Sequence, residues 1–571
     1  MATPAGDAIT LTDTPSKHGS VDLAGDRDEV KSEGAVEATA DGEAAAPVQD
    51  QSGVLHGMRL FLVFLAMMLS VFSIVATAIP IIVSDFNAFA QVSWIITAYF
   101  LTQCGFILLV GQLLTVIKPK YVLLGAIFFF ELGSLLCALA NGMIMLIVAR
   151  AIQGIGASGM FVSIIAIIAV VTAVEKRAMF MSGFGFIFVI SSVIGPLLGG
   201  VFTEHLSWRW CFWINLPVGG VAAAAVVFLL PARSPEQREN APKTWGETLR
   251  RMDWIGSALV ILFITCLLLA LQWGGNNYKW SNWRIPVLFT IGGLLVIAFF
   301  LWEWYLDHDA LIPMSILTNR TILACSGSIF MFMMAMLGGT YQLPLYYQAG
   351  RGHSAQKSGI DIIPFMIIVC VGIFVSGGFV TKFGHYYPFL LIGPPSEFTS
   401  FVWTLRWRPG RADTRIAAVG FGLLFTIREN TSNAKVIGYQ ILSGFGIGLT
   451  FQNIILAAQA EYTKRPALIP QATGVVSFFQ LTGAAIGKSF MRRSYLKEFA
   501  PDAPFDLVRQ STSAIYEIDP SLRPGVIHAY ILAISKSYMP IFIAIGLALI
   551  IGAFIRAHNM NKIGASVHAV A

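Results

Sequence analysis

The amino-acid sequence predicts an all-α integral membrane protein, a bundle of about fourteen membrane-crossing helices. Three observations predict it. The 571-residue chain is 56% hydrophobic and only 12% charged, about half the charge fraction that coats a soluble domain. Its apolar residues gather into runs such as 60–83, 121–140 and 255–271, long enough for a hydrocarbon core of about 30 Å. No stretch alternates polar and apolar residues as a membrane β-strand does. A helix is then the spanning structure that satisfies its own backbone in lipid.

Residues 1–56 stand apart. They are rich in Ala, Gly, Asp and Glu, nearly free of aromatics, and begin without an apolar h-region. They read as a disordered acidic cytoplasmic tail rather than a signal peptide. Spanners follow near 59–83, 94–113, 121–140, 143–170, 180–202, 209–230, 254–273, 285–304, 321–347, 359–378, 388–427, 436–458, 472–490 and 533–555. Lys118, Lys120, Lys176, Arg177, Arg233, Arg238, Lys243, Arg250 and Arg251 fall in alternate loops of the first half, which orients the N-terminus to the cytoplasm. Beyond Trp273 the bias weakens, and orientation there follows by counting. The longest inner connection, 231–252, divides a six-helix half (57–230) from two extra linking spanners (within 231–304) and a second six-helix half (305–556). A loop at 491–532 is expected outside and a tail at 557–571 inside.

The formal charge of +6 is thus a topology signal, not a nucleic-acid footprint. Six cysteines lie singly in apolar runs without CxxC spacing or nearby histidines, so they read as small buried hydrophobes, not disulfides or metal ligands. The histidines are scattered through loops and tails, which argues against an integral-membrane enzyme. There is no GxxxxGK[ST], hence no sign of ATP use. No cofactor is expected.

The fourth spanner carries Arg150 followed by Gln153, Gly154, Gly156 and Gly159. The three glycines spell GxGxxG, but no strand precedes them. Small residues that let two membrane helices approach are the better account. An arginine in an apolar run should face a cavity or a partner, so a functional site is the default reading for Arg150. Snorkelling to the outer interface is the alternative. Glu131, at similar depth in the third spanner, reads equally as a proton-carrying acid or as a protonated structural donor. Gly195, Pro196, Gly199 and Gly200 end the fifth spanner, where proline frees a carbonyl and the glycines permit close packing.

Arg150 with its glycines, then Gly-Pro-Leu-Leu-Gly-Gly from Gly195, then Ser207-Trp208-Arg209-Trp210-Cys211-Phe212-Trp213-Ile214-Asn215-Leu216-Pro217 resembles the major facilitator superfamily. More narrowly, the chain is similar to the fungal fourteen-spanner drug:proton antiporters. Ala76-Thr77-Ala78-Ile79-Pro80, Gly438-Tyr439-Gln440 and Ala270-Leu271-Gln272-Trp273-Gly274-Gly275 add to the likeness. The resemblance covers about 60–560. It implies the major facilitator fold, proton coupling through Arg150, and antiport marked by the Gly-Pro string. Departures are visible. In the inner gate loop Gly111 and the bases Lys118 and Lys120 remain, but the acid is missing. Val71 stands where relatives carry an aspartate in spanner one. Glu397, Trp403, Arg406, Arg408, Arg411, Asp413 and Arg415 interrupt spanner eleven within 396–415, at a cost of several kcal/mol per buried charge. That stretch reads as a retained intron or gene-model error rather than a native loop, and the join near Lys488 reads as shortened.

Spanner nine sets Met331, Met333, Met334 and Met336 beside Phe330 and Phe332, adaptable side chains that suit an amphipathic pocket, although helix packing is their commoner use. Gln342 and Tyr346, with Gln452 and Asn453 in spanner twelve, are candidates to orient a ligand, and Gln153 to line the same cavity. The reading is a proton-driven exporter of small amphipathic molecules. It would be a monomer in the lipid bilayer of the plasma membrane, the vacuole being an alternative. Other readings are a siderophore, polyamine or basic amino-acid carrier of the same fold, or a non-transporting membrane sensor.

Overall fold

The computed structural model describes residues 91–172, 174–230, 245–274, 278–391, 431–487 and 518–563, with short pieces at 78, 81–82, 85–86, 423–424, 426–428 and 513–516. All belong to one compact unit, Val54–Ala571; the other unit, Met1–Gly53, lies outside the described residues. So do nearly all of spanner one, the 396–415 interruption and the join at Lys488.

The described residues form long helices: α1 (Val92–Val116), α2 (Pro119–Ala138), α3 (Met143–Val171), α4 (Arg177–His205), α5 (Asn215–Leu229), α6 (Trp254–Trp273), α7 (Arg284–Leu306), α8 (Arg320–Leu345), α9 (Ile363–Phe383), α10 (Asn433–Glu461), α11 (Ile469–Gly487) and α12 (Arg523–Gly552). Among the described residues, 10 helices are long and apolar enough to cross a membrane. The all-helical bundle expected from the apolar runs is what is observed.

Local chemistry sets the boundaries. Pro119 opens α2 at its first turn, where a missing N–H costs nothing. Asn319 caps α8 by accepting from the amides of Thr321 (2.8 Å) and Ile322 (3.3 Å). Gly384 closes α9 in the left-handed region at φ 76°, which a side chain disfavours. Pro344 lies inside α8 and cannot donate, and a π-helical turn follows at Tyr346–Gly350. One boundary differs from the expected one. Residues 523–532, expected in the outer loop, are the first turns of α12, where Val526, Ala529 and Tyr530 are buried. Their apolar spacing is helical, but His528 and the flanking polar residues dilute the run.

The helices alternate, so that the connections α1–α2, α3–α4, α5–α6, α7–α8 and α10–α11 share one end of the bundle, here called the Lys118 end. There α1 packs on α11 and α4 on α9. Gly111 approaches the carbonyl of Pro470 and the Cα of Gly474, so the two sets of helices touch backbone to backbone. Phe186 of α4 meets Phe374 of α9 at 4.8 Å between ring centroids. Hairpin α6–α7 lies against α1.

Candidate functional site

Arg150 is buried near the start of α3 and is held entirely by neutral groups among the described residues. Its Nε donates to the Ile95 carbonyl at 3.2 Å, its Nη1 to Oε1 of Gln153, and its guanidinium lies 4.2 Å from the Tyr99 ring centroid. Gln153 passes the contact on, donating through Nε2 to Ser134 Oγ at 2.8 Å. The same hydroxyl accepts from Asn215 Nδ2 at 3.1 Å. Four helices, α1, α2, α3 and α5, thus meet in one polar network around a fixed positive charge. A buried guanidinium without such partners would cost several kcal/mol. Snorkelling is not its role here, since the side chain is only 5% exposed.

The glycines downstream explain how the helices come close enough. A Cβ on Gly156 would lie 2.3 Å from the Phe130 amide nitrogen, and one on Gly154 2.3 Å from the Tyr99 carbonyl oxygen. Gly133 faces the Gln153 backbone in the same way, at 2.5 Å. The GxGxxG string is a helix-packing surface.

Glu131 does not meet Arg150. Its side chain points to α5, where a Cβ on Gly219 would lie 1.8 Å from Oε1. Both carboxyl oxygens are buried with no hydrogen-bond partner among the described residues. Glu131 precedes Ser134 by one helical turn, and Gly219 follows Asn215 by one turn. The carboxyl therefore sits about 5 Å along the helix axes from the end of the Arg150 network.

The other predicted residues fall in separate places. Gly195, Pro196, Gly199 and Gly200 are internal to α4, which continues to His205. Gly195 and Gly199 are buried, while a Cβ on Gly200 would meet nothing within 4 Å. Thr203 Oγ1 bonds the carbonyls of Gly199 (2.8 Å) and Gly200 (2.9 Å). At the Lys118 end, Lys120 Nζ donates to the carbonyls of Val227 and Leu230, each at 2.7 Å, closing the end of α5. Lys118 precedes α2 and is half-buried.

The residues proposed to line a cavity do not form one cluster. Gln153 belongs to the Arg150 network. Phe330 and Met334 seat Gly483 and Gly487 of α11 on α8, with the Phe330 ring 6.4 Å from that of Phe479. Gln452 crosses from α10 to Gly185 of α4, and both its amide atoms are buried without partners among the described residues. Asn453 bonds back to the Leu449 carbonyl at 2.6 Å. Gln342 is buried with an unpartnered oxygen, and Tyr346 is packed at the far end beside Arg351. Sequence reasoning missed Tyr99, Ser134, Asn215 and Gln480. The last is a buried glutamine of α11 with an unpartnered oxygen. Their common signal is a polar side chain inside an apolar run, which also fits helix capping and back-bonding.

The Ser-Trp-Arg-Trp string has a structural role at the opposite end. Trp208 Nε1 donates to Asp85 Oδ2 at 2.8 Å, and Arg209 lies 3.9 Å from the same oxygen while bonding the Ala140 carbonyl at 3.1 Å.

Comparison with known proteins fits this architecture. The family model described as Major Facilitator Superfamily matches residues 60–488. The MFS-type transporter phomT of Diaporthe leptostromiformis is 36% identical over 538 residues, covering 90% of this chain and 86% of that one. The efflux pump aflT of Aspergillus parasiticus is 35% identical, covering 79% and 84%. The aspyridones efflux protein of Neocamarosporium betae is also 35% identical, covering 81% and 78%. Among solved structures, the human organic anion transporter MFSD10 superposes with a TM-score of 0.52 at 13% identity, covering 86% of this chain and all of that one. This multi-pass membrane protein belongs to the Major Facilitator Superfamily.

Proposed function

We propose that the protein is a proton-coupled exporter of small amphipathic molecules that works by alternating access, with both termini cytoplasmic. Efflux is named for two of the relatives above, and the antiport reading comes from the resemblance of the Gly195–Pro196 string. The observation that carries proton coupling is the pairing in depth of Arg150 and Glu131. A permanent buried cation is tied through Gln153 to Ser134, and one turn away lies a buried carboxyl with no donor among the described residues. Arg150 stays charged at every physiological pH and cannot carry the proton itself. Glu131 can. The Ser134 hydroxyl accepts from both amides, so its own hydrogen is left to donate. Protonation of Glu131 removes a negative charge that the Arg150 network otherwise feels. The helices α2, α3 and α5 that hold these groups then have a reason to repack when the proton leaves.

The test is transport of a fluorescent amphipathic amine in proteoliposomes under an imposed pH gradient. Glu131→Gln keeps the shape of the protonated acid. It is expected to bind the dye within about twofold of the wild type, yet to lose accumulation driven by the gradient. Gradient-driven accumulation by Glu131→Gln at the wild-type level would place the coupling acid elsewhere.

A further inference from the structure

Away from Arg150 and Glu131, a pair of carboxyls is buried on the α6–α7 hairpin. Asp253 precedes α6 and Glu303 lies in the last turn of α7; they are 3% and 0% exposed. One oxygen of each is engaged. Asp253 Oδ1 accepts from the Gly256 amide at 2.7 Å and from Trp302 Nε1 at 2.8 Å. Glu303 Oε2 accepts from the Ile312 amide at 2.9 Å. The remaining oxygens, Asp253 Oδ2 and Glu303 Oε1, have no donor among the described residues. Both flank Gly256: a Cβ there would lie 2.0 Å from the first and 2.9 Å from the second, so the two oxygens are no more than about 5 Å apart. Two ionised carboxylates offer only acceptors, and at this range in a dry site they repel strongly.

Among the described residues, the hydrogen bonds to the pair all come from neutral groups. Gln112 of α1 accepts from the Asp253 amide at 3.2 Å. The donors to the pair's own oxygens are the Trp302 indole and the amides of Gly256 and Ile312. Arg250 and Arg251 ahead of Asp253, and Asp307 and Asp309 beyond Glu303, are exposed.

The pair also sits at a mechanical junction. The segment 307–319, which joins α7 to α8, is gripped from both sides. Gln112 Nε2 donates to the Asp309 carbonyl at 2.7 Å, and Gln471 of α11 donates to the Ala310 carbonyl at 3.4 Å. Tyr462 after α10 bonds the Ser315 carbonyl at 3.1 Å. Ala310, Leu311 and Ile312 are buried. This strap therefore crosses the Lys118 end where Gly111 meets Gly474, and Glu303 holds it through Ile312.

We infer that Asp253 and Glu303 share a single proton, held between Oδ2 and Oε1, and that this proton fastens the strap across the closed Lys118 end of the bundle. One O–H between the two oxygens gives each a partner and leaves a single delocalised charge. Loss of that proton places two like charges in the site and drives Glu303 away from its bond to Ile312. The pair is a proton site on the linking hairpin, separate from Arg150 and Glu131, and it does not rest on the export reading.

The geometry dictates what amides do there. In Glu303→Gln the amide oxygen keeps the Ile312 bond while its NH2 donates to Asp253 Oδ2. In Asp253→Asn the oxygen keeps the Gly256 and Trp302 bonds while its NH2 donates to Glu303 Oε1. Either single variant reproduces the proton-bridged form without a proton. In the double variant two NH2 groups face each other.

The experiment is infrared spectroscopy of the purified full-length chain in lipid at neutral pH, with thermal unfolding followed in parallel across pH. Both single variants are expected to lose one protonated-carboxyl C=O band relative to the wild type. The bridged proton is held by the folded pair and released by the unfolded chain at neutral pH, so wild-type stability falls as pH rises. Each single variant should flatten that slope and keep the wild-type Tm at neutral pH, while the double variant unfolds at a lower temperature than either. Persistence of the band in Asp253→Asn would mean that Glu303 is protonated on its own, and would overturn the shared proton. A double variant as stable as the singles would overturn it equally, by showing that the facing atoms need no donor–acceptor match.

Discussion

Arg150→Lys separates charge from geometry at the centre of the first helix set. The guanidinium makes three contacts at once: Nε to the Ile95 carbonyl at 3.2 Å, Nη1 to Gln153, and its face to Tyr99 at 4.2 Å. A lysine ammonium is a point donor on a flexible stem and cannot reach both acceptors in the same plane. It gives up at least one charge-assisted bond, worth about 1.5–3 kcal/mol, and part of a cation–π contact of roughly 0.5–2 kcal/mol. The sum is about 2–5 kcal/mol. If half of it is felt in the transport transition, coupled flux falls roughly five- to sixty-fold, at about 1.4 kcal/mol per decade. Arg150→Met removes the charge with similar bulk and should leave only background flux. The assay is gradient-driven dye uptake in proteoliposomes, with dye binding to detergent-solubilised protein measured separately. Binding of a neutral dye should change by less than threefold in both variants, because Arg150 is sealed among side chains. Wild-type pH-driven flux in Arg150→Met would refute the reasoning, and the network would then be a packing device only.

Two further outcomes follow from the same contacts. Gly156→Ala pushes a methyl against backbone atoms, the Phe130 nitrogen at 2.3 Å and the Ala126 oxygen at 2.6 Å. A loss of about 1–3 kcal/mol is expected, read as a lower Tm against Gly220→Ala, whose Cβ would meet nothing within 4 Å. Lys120→Met removes the donor to the Val227 and Leu230 carbonyls. Its cost should be about 0.3–1 kcal/mol, seen as a slightly lower Tm with dye transport within twofold of the wild type.

The spans were legible because lipid imposes length and apolarity together, and each apolar run from 94–113 through 359–378 finds its helix. The late start expected for α12 shows the limit of that logic. Tyr530 and Val526 are buried by tertiary contact, while Arg523 and His528 lower the local apolarity that hydropathy reads. Arg150 was legible for the opposite reason: a lone guanidinium in an apolar run must either snorkel to the interface or find buried partners. Its partners were not, because contact between Ser134, Asn215 and Gln153 depends on the rotation of three helices about their axes. That rotation is set by glycines such as Gly133 and Gly156, whose partners lie on another helix. The same applies to Glu131, whose depth could be counted but whose facing toward Gly219 could not. Asp253 and Glu303 escaped notice because each sits beside polar loop residues and reads as a solvated helix end.

The contact of Gly111 with Gly474 has a consequence for insulation. With no side chain on either residue, the carbonyl of Pro470 and the Cα of Gly474 come to within 3.3–3.5 Å of where a Gly111 Cβ would stand. At that level main chain packs against main chain, with no side chain from either glycine between them. Such a contact is tight only while it is bare. Any branched residue at either position would act as a wedge, leaving a wetted seam along which small ions could pass uncontrolled. Damage there would therefore show first as dissipation of ionic gradients across the membrane, before any loss of recognition or folding.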